Sequence, residues 1–214
     1  ADSLQQWIRL ERASHQRVAA IRNEESFEAG ILLDVFDQLA EGSSLYVANS
    51  LPVRHLDQFV PPQKKTVHVF ANRGASGIDG TLSSALGAAV ARPGLVFVSG
   101  DTSFYHDMNG LLALRRERIR ATIVVINNDG GGIFHRLPIA QFDPPFRDAF
   151  LAPHGLTFEH AAALYGLRYA HVTRQDLPQV LQTALTSETP TLIEVPSDAA
   201  AFEKLRKQFN NLQI

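Results

Sequence analysis

Two polar turns, each at the end of an apolar run, carry the residue types best suited to chemistry. Asp101 follows residues 95–99 and Gly100, and Asn128 follows residues 122–126 and Asn127. Neighbouring strands of a parallel α/β sheet end at the same carboxyl edge, where such folds bind ligands. A carboxylate from Asp101, an amide oxygen from Asn128 and the carbonyl of Gly130 suit a hard divalent ion that carries phosphate oxygens. The two turns together therefore predict a magnesium site that anchors a phosphorylated ligand.

Each turn also has a purely structural interpretation. The run Gly-Asp-Thr-Ser at 100–103 could begin a helix, and the run Asn-Asn-Asp-Gly at 127–130 could form a tight turn. For either turn considered alone, this structural interpretation is favoured over a metal site. The position of both turns at the ends of successive strand-like runs favours the metal site instead.

A glycine-rich segment, residues 72–80, lies between a predicted strand and a predicted helix. Its glycines are three apart, which lets backbone N–H groups approach an anion, although close helix–strand packing explains them equally well. The segment is neither a dinucleotide fingerprint nor a nucleophile elbow, and the chain has no Walker A sequence. Arg73, beside these glycines, is placed to bind a carboxylate in bidentate fashion, with a surface salt bridge as the alternative.

A second arginine, Arg54, comes one helical turn after Ser50. Residues at that spacing share a helix face, so both would border the same crevice. The structural alternative is that Ser50 is an N-cap with Pro52 in the first turn. Arg54 and Arg73 at one sheet edge predict a substrate with two or three carboxylates.

Other candidate sites are weaker. His106 and Asp107 near Ser103 could suggest a catalytic triad, but no oxyanion-hole or elbow context accompanies them, which favours a solvated helix face. Glu159 and His160 lack the spacing of a zinc motif.

The elements that must position these residues alternate between short β-rich runs and helical segments. Six strands separated by helices predict an α/β fold with a doubly wound, mainly parallel six-stranded sheet flanked by helices. The continuous apolar runs at 95–98 and 123–126 predict central strands. The predicted strands are 45–47, 67–70, 95–98, 122–126, 168–171 and 191–195. Each is followed by a predicted helix, and these helices are 51–59, 80–91, 103–116, 157–165, 176–186 and 199–209.

Residues 1–25 are predicted to form a charged linker helix from an upstream domain, and residues 26–214 a single cofactor-binding domain. Ser26 is expected to be the N-cap of a helix over 27–39. The chain begins with Ala1 and has its one methionine at Met108, which predicts a piece of a longer protein. The proline-rich segment 133–155 is interpreted as an active-site loop or subunit contact, or equally as a packed surface loop.

The composition excludes several classes of function. With 214 residues, a net charge of −2 and no basic patch interleaved with aromatic residues, neither nucleic-acid readout nor attraction to an anionic membrane is favoured. The chain has no cysteine, which excludes disulfides, thiolate nucleophiles and Cys-ligated metals and fits a reducing compartment. No apolar run is long enough for stable membrane insertion. A cytoplasmic location is expected.

The Gly100-Asp101 and Asn127-Asn128 pairs resemble the thiamin diphosphate signature of the decarboxylase and transketolase superfamily. More narrowly, segments 49–54, 72–80 and 127–134 resemble the 2-succinyl-5-enolpyruvyl-6-hydroxy-3-cyclohexene-1-carboxylate (SEPHCHC) synthases of menaquinone biosynthesis. The run 72–80 is the most specific of these. The likeness covers the chain from about Ser26 onward, as the C-terminal domain of a three-domain enzyme.

This resemblance implies thiamin diphosphate and Mg²⁺ as cofactors, with Asp101, Asn128 and the Gly130 carbonyl as metal ligands. Ile78 would support the bend of the cofactor. Thr102 stands where the superfamily often has glycine, and Asp129 stands where the family often has a third asparagine. The further positions that the resemblance assigns are Ser76, Gly77, Gly100, Thr102, Ser103 and Gly131 for cofactor binding, Ser50, Arg54 and Arg73 for substrate carboxylates, and Ile133 and Phe134 for the pocket wall.

The implied activity is decarboxylation of 2-oxoglutarate and addition of the resulting succinyl-semialdehyde carbanion to isochorismate. An essential glutamate would come from the N-terminal pyrimidine-binding domain of a partner subunit, which implies a homodimer or homotetramer and an isolated chain without activity. Two alternatives remain open: another thiamin diphosphate-dependent 2-oxo acid decarboxylase or acetolactate-type synthase, and a non-enzymatic α/β binding domain.

Overall fold

The structure is a computed structural model that describes residues 2–211. Strands and helices alternate after two N-terminal helices. The strands are β1 (Ser44–Val47), β2 (His68–Phe70), β3 (Leu95–Gly100), β4 (Ala121–Asn127), β5 (Arg168–His171) and β6 (Thr191–Pro196). The helices are α1 (Asp2–Ile21), α2 (Ala29–Gln38), α3 (Leu51–Phe59), α4 (Thr81–Ala91), α5 (Asp101–Asp107), α6 (Leu112–Glu117), α7 (Glu159–Tyr165), α8 (Leu177–Leu185) and α9 (Ala199–Asn211).

All six strands form one parallel sheet in the order β2-β1-β3-β4-β6-β5. The prediction of a doubly wound α/β fold is confirmed. Strands β3 and β4 lie at the centre and are buried along nearly their whole length, as their uninterrupted apolar sequences predict. Gly100 pairs with Ile126 in the register of these two strands. The residues that follow the two strands therefore emerge side by side at the carboxyl edge.

Apolar layers cover both faces of the sheet. On one face, Phe97 and Ile123 pack with residues of α4, α5 and α6. On the other face, Val96 and Val124 pack with residues of α2 and α8. Side chains at successive strand positions point to opposite faces, so the alternation within β3 supplies both layers. Because helices pack on both faces of the sheet, the ends of its strands are held in place, and so are the first residues of the turns that follow them.

The start of α2 differs from the prediction. Ser26 is not its N-cap: the helix begins at Ala29, and Glu28 occupies the capping position without a side-chain capping bond. Phe27 is fully buried and packs edge-to-face on Phe59, with the ring centroids 5.2 Å apart. Burying Phe27 draws residues 24–28 into a turn of their own and delays the helix. The same burial carries the Glu28 side chain into the interior.

The helix after β3 also differs from the prediction. The helix predicted over 103–116 is divided into α5, a 3-10 turn at Met108–Leu111 and α6. A Cβ at Gly110 would lie 2.6 Å from Ser83 Oγ, so α4 passes very close to this break. The segment 133–155 contains 3-10 turns at Gly132–Arg136 and Pro138–Gln141 and a π-helical turn at Arg147–Leu151. Within residues 2–211, no helix is both long and apolar enough to cross a membrane.

Candidate functional site

The two polar turns meet at the carboxyl edge of β3 and β4. The Asp101 carboxylate, only 2% exposed, accepts the backbone N–H groups of Asn128 at 3.1 Å and of Gly130 at 2.9 Å through Oδ2. Its other oxygen accepts the Thr102 N–H at 2.6 Å. One carboxylate thus ties the turn after β3 to the turn after β4, as their shared edge predicts.

A cavity of about 260 Å³ opens beside this junction. Most of the site residues predicted from the sequence line it, on both its polar and its apolar walls. They are Ser50, Ile78, Gly100, Asp101, Thr102, Ser103, Asn128, Gly130, Gly131, Ile133 and Phe134. The structure therefore brings together residues from four separate segments of the chain.

The polar atoms at this edge include oxygens without a hydrogen-bonding partner. Asn128 Oδ1 and Ser103 Oγ are buried and unpartnered among the described residues. The Gly130 carbonyl accepts the Gly132 N–H at 2.9 Å, and a carbonyl oxygen retains a second lone pair. A buried acceptor without a donor is costly unless something else binds it. Oxygen ligands of this kind fit Mg²⁺.

The donor set contains a single carboxylate. Over residues 2–211, no group of three or more His, Asp or Glu side chains could hold a metal ion. Of the three candidate ligands, Asp101, Asn128 and the Gly130 carbonyl, only Asp101 has an ionisable side chain. A site of this composition fits an ion that also takes ligands from a bound phosphate.

The glycines of the second turn are required by close packing. Gly130 has φ +127°, and a Cβ there would lie 2.1 Å from the carbonyl oxygen of Leu151. A Cβ on Gly131 would lie 2.2 Å from the carbonyl oxygen of Phe150. The Gly131 N–H donates to the Leu151 carbonyl at 2.7 Å. The segment 133–155 thus returns to pack directly on the turn.

Asp129 ties the same turn to the residues that follow. It adopts a left-handed conformation with φ +61°. Its Oδ1 accepts the backbone N–H groups of His154 at 2.9 Å and Gly155 at 2.6 Å. His154 in turn places Nε2 3.3 Å from Asp101 Oδ2. Asp129 therefore fastens the turn to the residues at 154–155 through its side chain.

A buried glutamate on β6 holds the start of the turn that follows β4. Glu194 on β6 is fully buried and accepts hydrogen bonds from Asn127 Nδ2 at 2.7 Å, the Phe158 N–H at 2.8 Å and the Tyr169 hydroxyl at 2.8 Å. Burial raises the pKa of the Tyr169 phenol, and its bond to Glu194 raises that pKa further. Asn127 Oδ1 accepts the Asp129 N–H at 3.1 Å. Sequence reasoning did not identify this network.

The two predicted arginines lie outside the cavity lining. Arg54 donates from Nη1 to the Ser50 carbonyl at 2.6 Å. Arg73 is exposed and donates to Asn49 Oδ1 at 2.7 Å, and Asn49 Nδ2 donates to the Gly77 carbonyl at 2.6 Å. Ser76 and Gly77 are also exposed and do not line the cavity. Asn49, which is 2% exposed, organises this rim and was not singled out from the sequence.

Glu28 is a wall residue that sequence reasoning also missed. It lines the cavity and accepts hydrogen bonds through Oε2 from Asn128 Nδ2 at 2.9 Å and Ser197 Oγ at 2.5 Å. Burial raises the pKa of its carboxyl, those two bonds lower that pKa, and repulsion from Asp101 raises it again. His55 Nε2 lies 3.8 Å from Oε1. Burial, with a smaller contribution from Arg136, lowers the pKa of His55 to about 3.

The residues of the weak triad are paired elsewhere. His106 Nε2 lies 2.9 Å from Asp79 Oδ1, and Asp107 accepts hydrogen bonds from the backbone and side chain of Ser83. Both contacts join α5 to the region around the start of α4. They give His106 and Asp107 structural partners, in agreement with the interpretation as a helix face.

Comparison with known proteins gives a family match and close relatives. Residues 53–195 match the model of the thiamine pyrophosphate enzyme, C-terminal TPP binding domain. The chain is 54% identical over 184 residues to 2-succinyl-5-enolpyruvyl-6-hydroxy-3-cyclohexene-1-carboxylate synthase of Roseiflexus castenholzii, covering 85% of this chain and 32% of that protein. It is 43% identical over 206 residues to the protein of the same name from Haloarcula marismortui, covering 95% and 35%. The chain thus spans about a third of the length of these relatives.

Solved structures share the fold at low sequence identity. Benzoylformate decarboxylase from Polynucleobacter necessarius is 22% identical with a TM-score of 0.65, over 80% of this chain and 33% of that one. The thiamine diphosphate-dependent 4-hydroxybenzoylformate decarboxylase of Rhodococcus jostii RHA1 is 23% identical with a TM-score of 0.65, over 80% and 32%. These likenesses support the same arrangement of sheet and helices.

Proposed function

The chain belongs to the family of the C-terminal TPP-binding domain of thiamine pyrophosphate enzymes, and from that premise we propose that it is the cofactor-binding domain of a SEPHCHC synthase. The whole enzyme would decarboxylate 2-oxoglutarate and join the remaining four-carbon unit to isochorismate, in menaquinone biosynthesis. Identities of 43–54% to proteins of that name over most of the chain support this assignment.

The observation that carries the proposal is the convergence of Asp101, Asn128 and Gly130 on one edge of the sheet. In the proposed function, Asp101, Asn128 Oδ1 and the Gly130 carbonyl would hold Mg²⁺, which would supply the positive charge that anchors the diphosphate of the cofactor. The unpartnered Asn128 Oδ1 supports this role, since a metal would supply the partner that the amide oxygen lacks. Ser103 Oγ, buried and also unpartnered, is available to a phosphate oxygen.

The rest of the cavity would position the organic parts of cofactor and substrate. When bound, thiamin diphosphate supplies the electron sink that decarboxylation of a 2-oxo acid requires. Ile78 would support the bend of the cofactor, with Gly100, Thr102 and Gly131 around it. Ser76 and Gly77, which do not line the cavity, would contact the cofactor from the exposed loop before Ile78. Ile133 and Phe134 would form an apolar wall that excludes water. Ser50, Arg54 and Arg73 at the rim would bind the carboxylates of the two substrates.

The proposal also assigns partners. The N-terminal pyrimidine-binding domain of a partner subunit would complete the cavity, in a homodimer or homotetramer. That domain would also supply the essential glutamate, so the chain alone would be inactive. A cytoplasmic location follows from the proposed pathway and fits the absence of cysteine.

The alternative enzyme, a synthase or decarboxylase acting on monocarboxylic 2-oxo acids, differs in its need for arginine. An arginine contributes most to the binding free energy where its guanidinium pairs with a substrate carboxylate in a site partly shielded from water. In the full-length protein, Arg73→Ala should raise the KM for 2-oxoglutarate at least tenfold and leave thiamin diphosphate affinity unchanged. An unchanged KM for 2-oxoglutarate would favour the monocarboxylate enzyme.

The non-enzymatic alternative is tested by cofactor binding. Calorimetry with thiamin diphosphate and Mg²⁺ should show binding to the full-length wild type and none to Asp101→Ala. Omitting Mg²⁺ should weaken wild-type binding as well. Equal heats from both proteins would support a binding domain of another kind, in which the two turns have only structural roles.

A further inference from the structure

The Glu28 carboxylate is fully buried at the wall of the cofactor cavity. It is 2% exposed and lines the cavity together with Asp101 and Asn128. Its hydrogen-bond donors, Asn128 Nδ2 and Ser197 Oγ, are both neutral groups. A buried carboxylate is expensive to maintain unless the site compensates for it. The cost indicates that Glu28 contributes more than attachment of the start of α2.

The hydrogen bond from Asn128 has a fixed direction. An ionised carboxylate only accepts, so it can face the amide nitrogen of Asn128 but not the amide oxygen. The 2.9 Å bond from Nδ2 to Glu28 Oε2 therefore directs Oδ1 away from Glu28. Oδ1 is the atom that is left buried without a partner. Glu28 thus selects one of the two orientations of the amide.

The backbone next to Asn128 leaves space for the amide in this orientation. A Cβ on Gly132 would lie 2.8 Å from Asn128 Nδ2 and 3.1 Å from its Cγ, so the absence of a side chain at 132 makes room for the group. The Asn128 backbone is fixed separately by its N–H bond to Asp101. With the backbone held by Asp101 and the side-chain nitrogen held by Glu28, the amide oxygen has little freedom.

The charges at the site lead to the same conclusion. Glu28 and Asp101 are two carboxyl groups on the wall of one cavity, so their negative charges would repel each other there. A divalent cation at Asp101 would attract both groups and offset their repulsion. Groups behind the ligands of a metal commonly orient them and adjust the affinity of the site.

We propose that Glu28 is a positioning residue of the cation site, which holds the Asn128 amide with Oδ1 free for the metal and adds negative charge behind it. This role rests on the proposed function, because it presupposes a divalent cation bound by Asp101 and Asn128. Glu28 itself does not contact the metal. Its contribution is the orientation of a ligand and the local field.

The test is Mn²⁺ binding to the full-length protein with thiamin diphosphate, followed by electron paramagnetic resonance, for wild type and Glu28→Gln. The substitution keeps the size of the side chain but removes the charge, and its amide can face Asn128 with either atom. Loss of such supporting groups typically weakens metal binding about 10–100-fold. We expect at least a tenfold rise in the Mn²⁺ dissociation constant and an altered Mn²⁺ spectrum.

Two matched variants separate this role from a purely structural one. Glu25→Gln makes the same change at an exposed glutamate three residues away and should leave Mn²⁺ affinity unchanged. Ser197→Ala removes the other bond to the same Glu28 oxygen, and it should lower stability while changing Mn²⁺ affinity less than twofold. If Glu28→Gln does not fold, Glu28→Asp keeps the charge but withdraws the carboxylate from Asn128 by one methylene, and it should also raise the Mn²⁺ dissociation constant.

The outcomes distinguish this proposal from the one on which it depends. Asp101→Asn should abolish Mn²⁺ binding, and normal binding by that variant would overturn the cation site itself. If Asp101→Asn abolishes binding but Glu28→Gln binds Mn²⁺ within twofold of wild type, the cation site stands. The positioning role of Glu28 is then wrong.

Discussion

The Asp101 carboxylate and the backbone of Gly130 are joined by a 2.9 Å hydrogen bond that crosses from the end of β3 to the turn after β4. The same oxygen also accepts the Asn128 N–H. Asp101 therefore has two functions in the proposed site. It would supply a metal ligand, and it shapes the turn that presents the other ligands.

Asp101→Ala should destabilise the protein even without any cofactor. The backbone N–H groups of Thr102, Asn128 and Gly130 lose their acceptor, at about 1–3 kcal/mol for each one that stays buried without a replacement water. Urea unfolding in the presence of a chelator measures the change. The matched control is Asp79→Ala, which removes a carboxylate 85% exposed and should change the free energy of unfolding by less than about 0.5 kcal/mol. A stable Asp101→Ala protein would contradict the structural half of this dual role.

Gly130→Ala should prevent the second turn from forming as observed. The new Cβ would lie 2.1 Å from the Leu151 carbonyl oxygen, and φ +127° is strained for any residue with a side chain. We expect a loss of several kcal/mol or failure to fold, measured by thermal unfolding. Gly87→Ala is the matched control, since nothing lies within 4 Å of its added Cβ in the exposed part of α4. That change should stabilise the helix by about 0.5–1 kcal/mol.

Much of this site could be predicted because its residues directly follow strands in the sequence. An apolar run that ends in Gly-Asp or Asn-Asn places those side chains at the sheet edge whatever the details of packing. Glu28 could not be found in this way, because nothing in the sequence distinguishes it from a glutamate in the exposed first turn of a helix. Its burial depends on Phe27, which packs against Phe59 and Phe202 from distant helices.

The path of the segment 133–155 also depends on contacts with distant residues, so the sequence predicts that segment only in outline. Its short helical turns are held by contacts with the glycine turn, such as the Gly131 N–H bond to Leu151. The proline and phenylalanine content indicates an irregular segment, but it does not indicate what the segment packs against. Glu194 was missed similarly, since a single acid in an apolar strand does not reveal its three donors.

His55 should make stability fall as the medium becomes acidic. The pKa of His55 in the folded protein is about 3, whereas a histidine in an unfolded chain has its ordinary pKa of about 6.5. Between these values the unfolded chain binds a proton that the folded chain does not, so lowering the pH from about 6.5 favours unfolding, by up to about 1.4 kcal/mol per pH unit. Above about pH 6.5, this contribution no longer changes with pH.

The variant that tests this dependence is His55→Phe. Its ring can keep the contacts with Phe202 and Phe59, whose centroids lie 4.9 and 6.1 Å from that of His55. The stability difference between variant and wild type, from urea unfolding at pH 7, 6, 5 and 4, should grow steadily in favour of the variant below about pH 6.5. A difference that is the same at every pH would show that His55 does not cause it.

Asp129→Ala should release the segment that covers the turn. It removes the acceptor of the His154 and Gly155 N–H groups and places alanine at φ +61°, which costs about 1 kcal/mol. Hydrogen exchange at those two amides should become faster. Asp129→Asn is the control, because asparagine tolerates this conformation and keeps an oxygen that can accept both bonds. Protection should therefore be largely retained in that variant.

The packing of the Phe150 and Leu151 carbonyls on Gly130 and Gly131 also constrains how such a sequence can evolve. A side chain at either glycine would require the main chain some twenty positions later to move, and that movement would disturb the Asp129 tether. The sequences of the glycine turn and of the returning segment therefore cannot change independently of each other. In lineages where one of the two glycines is replaced, compensating changes in the length or path of the returning segment are expected to accompany the replacement.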